Sequence, residues 1–211
     1  MDIEPRSKEN LIKQFREETL TDAARKIMNE EGFAGLTIER VAELAGVSKG
    51  TIYLYFKNKE DLLHATVAST FAALLHEVRR ETENAAGFES KLSALVETQL
   101  RVFAANLTFL RSLIAPNRFR PNPKCHPVND EVIALHREFV RYVASILELG
   151  RGEGRVREDC HCEEAAFHIF QMLQGTGMRH ALGLAAEPLG SPAEIRRIVQ
   201  FITSGIGRQG V

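Results

Sequence analysis

The strongest constraint on the fold of this chain comes from the stretch TIERVAELAGVSKGTIYLYFKNKEDLL, residues 37–63. It contains three short amphipathic patterns, separated by glycine and small polar residues. Isolated helices shorter than about 12–15 residues are only marginally stable in water. We therefore expect these segments to be stabilised by packing on each other. Their spacing should be the one that the function of this unit requires.

The ends of the two central helices can be read from their capping residues. Thr37 is a favourable N-cap for a helix over Ile38–Ala45, and Gly46 supplies the turn that follows it. Ser48 is then the N-cap of a shorter helix that we expect to continue to about Phe56. Two short helices joined by a tight glycine turn predict a helix-turn-helix.

Longer helices flank this unit on both sides. Apolar residues recur at three- and four-residue steps over about Lys8–Glu31, and Gly32 follows where a helix commonly ends. Asn58 can cap a fourth helix that begins near Lys59. The first helix gives the two short ones a surface to pack against.

The outward side of the second short helix is the candidate DNA-reading surface, because a helix-turn-helix places this helix in the major groove. With Ile52 and Phe56 turned inward, the residues that face outward are Lys49, Gly50, Thr51, Tyr53, Leu54 and Tyr55. Hydroxyls, lysines and helix N-termini commonly contact phosphates, which adds Thr37, Ser48 and Lys59 to the candidates.

The charge distribution limits where nucleic acid can bind. The whole chain has a formal net charge of −1, so it has no overall positive field to attract DNA. Between Val47 and Lys59, however, the chain has lysines at 49, 57 and 59 and no acidic residue. Any contact with DNA must come from this local surface.

The segment GFAGLTIERVAELAGVSKGTIYLYFKNKEDLL resembles the N-terminal DNA-binding domain of TetR-family transcriptional regulators. The features that carry the resemblance are the threonine before helix two, the glycine turn, the Ser-Lys-Gly start of the recognition helix, the YxYF pattern and the lysine that opens helix four. Leu54 departs from the family, where this position is often aromatic. The resemblance implies that the DNA-binding residues are Thr37, Ser48, Lys49, Gly50, Thr51, Tyr53, Tyr55 and Lys59.

The rest of the chain is also predicted to be helical. Amphipathic patterns cover residues 88–105, 107–115, 128–149, 162–184 and 191–205, and a proline-rich connection precedes the third of them. This part of the sequence has no phosphate-binding loop, no HExxH motif and no nucleophile elbow, so we do not expect an enzyme. The predicted fold is all-α with about nine helices: a three-helix helix-turn-helix domain at residues 1–60, and a helical effector-binding and dimerisation domain at residues 61–211.

The resemblance also implies a homodimer that binds pseudo-palindromic double-stranded DNA and responds to a small-molecule effector. The residues predicted to bind the effector are Phe71, Leu75, Phe103, Phe109, Leu110, Leu113, Phe139, Tyr142, Phe167, Phe170, Gln171 and Gln174. The residues predicted at the dimer interface are Gly175, Gly177, Ile195, Ile198, Val199 and Ile202. Two alternatives stay open: the apolar residues could form an ordinary core, and the glycines could simply kink their helix.

The cysteines suggest a different kind of regulator. Cys125, Cys160 and Cys162 have histidines beside them, and thiolate and imidazole are ligands that zinc and copper favour. A metal- or redox-responsive regulator is therefore the alternative to one controlled by an apolar or amphipathic ligand, although the spacing matches no common zinc motif. We expect no cofactor. We also expect a cytoplasmic location, because the cysteine count is odd and the sequence shows neither a signal sequence nor a membrane-spanning run.

Overall fold

The computed structural model describes residues 5–114 and 130–207, and these form nine helices and no strand. The prediction of an all-helical fold is confirmed. The helices are α1 (Pro5–Gly35), α2 (Ile38–Ala45), α3 (Lys49–Tyr53), α4 (Lys59–Glu83), α5 (Gly87–Ala105), α6 (Leu107–Ile114), α7 (Asp130–Gly152), α8 (Cys162–Ala181) and α9 (Pro192–Ile206). None of these helices is both long and apolar enough to span a membrane.

Capping residues predicted from the sequence cap the helices α2, α3 and α4. The Thr37 hydroxyl accepts a hydrogen bond from the Arg40 amide at 3.2 Å, and Gly46 has a φ of 66°, a left-handed conformation that glycine adopts without steric cost. Within α1 the backbone leaves helical geometry at Gly32, where φ is 69°.

Two helices end earlier than predicted. The short helix α3 stops at Tyr53 instead of continuing to Phe56, and α8 stops at Ala181 instead of Leu184. The residue after each of these ends is the C-cap, whose amide donates back to the last turn. The predicted start of α7, near Val128, lies outside the described residues.

The N-terminal core is built from α1, α2, α3 and the first turns of α4. Ile52 and Phe56 are buried in it, as the inward-facing pattern of α3 predicts. Phe109 of α6 is also buried in this core, although it lies far along the chain. Helix α6 therefore belongs structurally to both halves of the molecule.

The larger core lies among α4, α5, α7 and α8, and α9 packs against it. Gly150 of α7 is a close crossing point, since a Cβ there would lie 2.5 Å from the ring of Phe88. Helix α4 contributes Leu62 and Leu63 to the N-terminal core and Leu74 to the larger one. Because this helix is continuous across both cores, the boundary between residues 60 and 61 stays a prediction.

Candidate DNA-binding surface and ligand cavity

The outer side of α3 is open to solvent. Ser48, Lys49 and Gly50 are exposed, and Tyr53 and Leu54 are 56% and 80% exposed. The Ser48 hydroxyl caps the helix by accepting from the Thr51 amide at 3.1 Å. These side chains can reach a major groove without any rearrangement of the core.

The lysine on this surface is paired with an acid in the free protein. Nζ of Lys49 lies 2.6 Å from a carboxylate oxygen of Glu39 on α2. The hydrogen bond from Lys49 lowers the pKa of Glu39 below its ordinary value, so this carboxylate is charged at neutral pH. A phosphate that binds Lys49 would have to compete with Glu39 for its ammonium group.

Three predicted DNA contacts also hold the domain together. The Thr37 hydroxyl caps α2, and Tyr55 is half-buried against the N-terminal core. Nζ of Lys59 donates to the carbonyl of Phe33 at 3.2 Å and lies 3.9 Å from the centre of the Phe33 ring. For these residues, contact with DNA stays a prediction.

The C-terminal half contains a cavity of about 440 Å³ between α4, α5, α6, α7 and α8, within the range of about 300–1,000 Å³ that is usual for small-molecule sites. We call it the main cavity. The predicted ligand-binding residues that line it are Phe71, Phe103, Phe109, Leu110, Leu113, Phe170, Gln171 and Gln174. Their binding of a ligand stays a prediction, but the structure brings them together around one space.

Four predicted ligand-binding residues do not line the main cavity, and their contact with a ligand stays a prediction. Leu75 and Phe139 are buried in the core, where the Phe139 ring packs 5.0 Å from that of Phe170. The Tyr142 hydroxyl forms a hydrogen bond of 2.5 Å with that of Thr82, and Phe167 is 42% exposed. Periodicity placed them on apolar faces but could not say which part of each face meets empty space.

The sequence analysis also missed half of the wall. The missed lining residues are Val67, Thr70, Leu74, Val102, Asn106, Val132, Ile133 and His136. Two of those on α4, Val67 and Leu74, lie four residues before and three residues after Phe71, the spacings that bring side chains together on a helix. A search for that spacing around Phe71 could have found these two.

The wall of the main cavity is physically joined to the DNA-binding domain. Nδ2 of Asn29 on α1 donates to Oδ1 of Asn106 at 2.9 Å, and Oδ1 of Asn29 accepts from the Phe109 amide at 3.3 Å. Both Asn106 and Phe109 line the cavity, and the Phe109 ring is buried in the N-terminal core. A shift of the wall must therefore move or break contacts with α1.

A further hydrogen bond ties α6 to α8. Nε of Arg111 donates to the carbonyl of Ala181, the last residue of α8, at 3.1 Å. Next to it, His180 is buried and forms a hydrogen bond of 2.9 Å with Glu194 of α9. The first of these bonds joins α6 to α8, and the second joins α8 to α9.

The predicted dimer residues divide between the surface and the core. Gly175 is exposed, and Ile195, Ile198 and Val199 are half-buried on α9. Gly177 and Ile202 are buried within the single chain, and their part in an interface stays a prediction. Phe201, which was not predicted from the sequence, is 71% exposed on the outer side of α9.

The metal- or redox-responsive alternative is not supported. Cys160 and Cys162 are buried, and burial raises the pKa of the Cys162 thiol to about 12, so it remains protonated and a poor ligand. In the described parts of the chain, no three His, Cys, Asp or Glu residues are arranged to hold a metal ion. Cys125 lies outside those residues.

Comparison with known proteins agrees with this geometry. The family model described as bacterial regulatory proteins of the tetR family matches residues 20–66. The fatty acid metabolism regulator protein of Bacillus subtilis is 23% identical over 157 residues, covering 74% of this chain and 79% of that protein.

Two solved structures share the fold. FadR from Bacillus subtilis in complex with stearoyl-CoA is 22% identical with a TM-score of 0.70, covering 89% of this chain and 98% of that one. A putative regulator from Saccharomonospora viridis in complex with choline is 18% identical with a TM-score of 0.71, covering 92% of this chain and 98% of that one. At these identities the likeness concerns the fold.

A helix-turn-helix with an exposed recognition helix, joined to a helical domain that encloses a cavity, defines a DNA-binding transcriptional regulator. The matched family model and the regulators that share its sequence and fold identify the class further. Residues 20–66 form a DNA-binding domain of the tetR family, and the relatives and structural neighbours named above are transcriptional regulators.

Proposed function

We propose that this protein is a homodimeric repressor that leaves its operator when the main cavity binds a molecule with an unbranched apolar chain. The observation that carries the proposal is the shared wall: Asn106 and Phe109 line the cavity and also contact the DNA-binding domain. A ligand that displaces either residue changes the position of α1, and with it the recognition helix. Coupling of this kind between a ligand site and a DNA-binding site typically changes the affinity for DNA by about 5- to 150-fold.

The lining supports the chemical class of the ligand. Most of the wall is phenylalanine, leucine and valine, and its polar side chains are few: Thr70, Asn106, His136, Gln171 and Gln174. Such a site suits a molecule that is largely apolar with one polar end. The structurally similar FadR was solved with stearoyl-CoA, whose acyl part is an unbranched apolar chain.

A quaternary ammonium ligand is a second candidate, because four phenylalanine rings line the cavity: Phe71, Phe103, Phe109 and Phe170. Aromatic rings attract such cations, and the similar regulator from Saccharomonospora viridis was solved with choline. We favour the apolar chain, since none of the described residues that line the cavity is an Asp or Glu that could balance a cation. Choline is therefore a necessary comparison ligand.

The outer sides of α8 and α9 support the homodimer. Phe201 is 71% exposed, and it borders a surface with Gly175, Ile198 and Met172 that the single chain leaves uncovered. A twofold axis here would place two recognition helices on one side of the DNA, with half-sites about 34–36 Å apart or a related distance. The operator would then be a pseudo-palindrome.

The experiment that tests the function begins with selection of bound duplexes from a random pool at near-physiological salt. We expect a pseudo-palindromic consensus. Stearoyl-CoA should release the protein from this DNA, and choline should not. A consensus without symmetry would contradict the dimeric mode of reading, and release by choline alone would contradict the ligand class. Retention of the DNA both by protein saturated with stearoyl-CoA and by protein saturated with choline would contradict ligand-controlled release.

A further inference from the structure

A second, smaller cavity of about 150 Å³ lies beside the main cavity, between α5, α6 and α8. We call it the side pocket. It shares Phe103, Leu110, Leu113 and Gln174 with the main cavity, and its own lining residues are Gly177, Met178 and Ala181. Because four residues line both spaces, only their side chains separate the two.

The position of the Phe103 ring in this partition depends on a glycine. A Cβ built on Gly177 would lie 2.6 Å and 3.1 Å from two carbons of the ring, and the first distance is too short for real atoms. The missing side chain therefore lets the ring rest directly against α8. Any larger residue at position 177 would force the ring to move away from this position on α8.

The two spaces differ in polarity. Asn106, His136 and Gln171 line only the main cavity, whereas the residues that line only the side pocket offer no polar side chain. A molecule with one polar end and one apolar end would therefore place its polar end in the main cavity. Its apolar end would point toward the side pocket.

We propose that the main cavity and the side pocket form one channel for an unbranched alkyl chain, whose end occupies the side pocket. The pair Gly177 and Phe103 then sets the longest chain that the protein accepts. This inference rests on the proposed function, because it extends the same ligand site. Each methylene group that enters the side pocket should raise affinity roughly fourfold, from the free energy of burying a CH₂.

The test measures how affinity depends on chain length in the full-length protein. The probes are octanoate, dodecanoate and stearate, each as the free acid and as the coenzyme A thioester, with binding measured by calorimetry. Ala181→Leu fills the side pocket from its wall, and Gly177→Ala moves the Phe103 ring. Ala104→Leu on the exposed side of α5 and Gly152→Ala, which has open space around it, are the matched controls.

We expect the affinity of the unmodified protein to rise along the series from octanoate to stearate. In Ala181→Leu and Gly177→Ala, octanoate should bind as before, and stearate should lose at least tenfold. If both variants keep the full rise with chain length, the side pocket is not used and the inference is wrong. If no chain of any length binds the unmodified protein, the ligand class itself is wrong. If chains do bind, a difference in affinity between the free acids and the thioesters identifies which of the two forms the protein binds.

A third variant covers the possibility that filling a buried position prevents folding. Met178 is 42% exposed, so Met178→Phe can occupy the side pocket from its surface side without requiring space in the core. Thermal unfolding compares each variant with its control. Loss of stearate binding in folded Met178→Phe supports the channel, and unchanged binding of all three chains overturns it.

Discussion

The side-chain amides of Asn29 and Asn106 form a hydrogen bond of 2.9 Å between α1 of the DNA-binding domain and the end of α5 in the C-terminal half of the chain. Asn106 also donates to the carbonyl of Val102 at 2.8 Å, which fixes its amide against the wall of the main cavity. The pair thus links a residue of the cavity to the helix that supports the helix-turn-helix. We expect ligand binding to reach the DNA through this contact and through Phe109.

Replacing Asn29 by alanine should uncouple the two domains in part. Substitutions along a coupled path change the coupling by about 0.5–2 kcal/mol, so the loss of DNA affinity on ligand binding should shrink by roughly 2- to 30-fold. The measurement is operator affinity by fluorescence anisotropy, with and without saturating stearoyl-CoA. Asn84→Ala, at the far end of α4, is the control. An unchanged ligand effect in Asn29→Ala would show that the amide pair carries no coupling.

Tyr53→Phe should weaken operator binding about tenfold and almost equally for every sequence, because we assign its exposed hydroxyl to a phosphate. The measurement is affinity for the operator and for duplexes with single base changes. Tyr142→Phe removes a hydroxyl that bonds Thr82 away from the DNA surface, and it should leave DNA binding unchanged. If Tyr53→Phe relaxes the preference at only one base position, Tyr53 reads a base.

Glu39→Gln should strengthen DNA binding, since it releases Lys49 from its carboxylate partner. We expect a gain of roughly two- to fivefold for specific and random duplexes alike, the size typical of an exposed ion pair. Glu43→Gln makes the same charge change on α2, where no ion pair forms among the described residues, and it corrects for the general effect of charge. Equal gains in the two variants would mean that the pair with Lys49 does not restrain binding.

Glu194 should make the stability of the C-terminal helices depend on pH. Burial raises the pKa of Glu194, but hydrogen bonds from His180, the Gly190 amide and Arg179 outweigh it, so the net pKa is lowered from 4.5. Because its pKa is lower in the folded protein, the charged Glu194 carboxylate stabilises the fold above about pH 4.5. This contribution is lost as the pH falls through the folded-state pKa.

We therefore expect Glu194→Gln to unfold at a lower temperature than the unmodified protein at pH 7, with a difference that shrinks below pH 4.5. Thermal unfolding followed by circular dichroism measures this difference. Glu163→Gln, at an exposed position of α8, is the control. A difference that stays constant as the pH falls would show that the charge on Glu194 contributes nothing to stability.

Much of the fold follows from local chemistry that the sequence displays. Thr37, Gly46, Ser48 and Asn58 each form the cap predicted for them, because capping depends on residues only three or four positions apart. The apolar spacing likewise identified most of the helices. Ile12 and Phe15 are exceptions, since both fit the apolar pattern of α1 but are more than half exposed.

The candidate cavity was harder to predict, because it depends on how distant helices meet. Nothing local distinguishes Phe139, which is buried in the core, from Phe170, which is buried and also lines the cavity. The contacts between Asn29 and Asn106 and between Gly177 and Phe103 join residues more than seventy positions apart in sequence. They appear only once the helices are packed.

The most direct test of the central claim is reciprocal linkage between the two sites. The affinity of the full-length protein for stearoyl-CoA is measured by calorimetry with and without a saturating amount of the selected operator duplex, and operator affinity is measured with and without the ligand. Thermodynamic linkage requires the two factors to be equal, and we predict that each ligand weakens the other by about 5- to 150-fold. If stearoyl-CoA binds with the same affinity in the presence and absence of operator, the main cavity does not control DNA binding and the account is wrong.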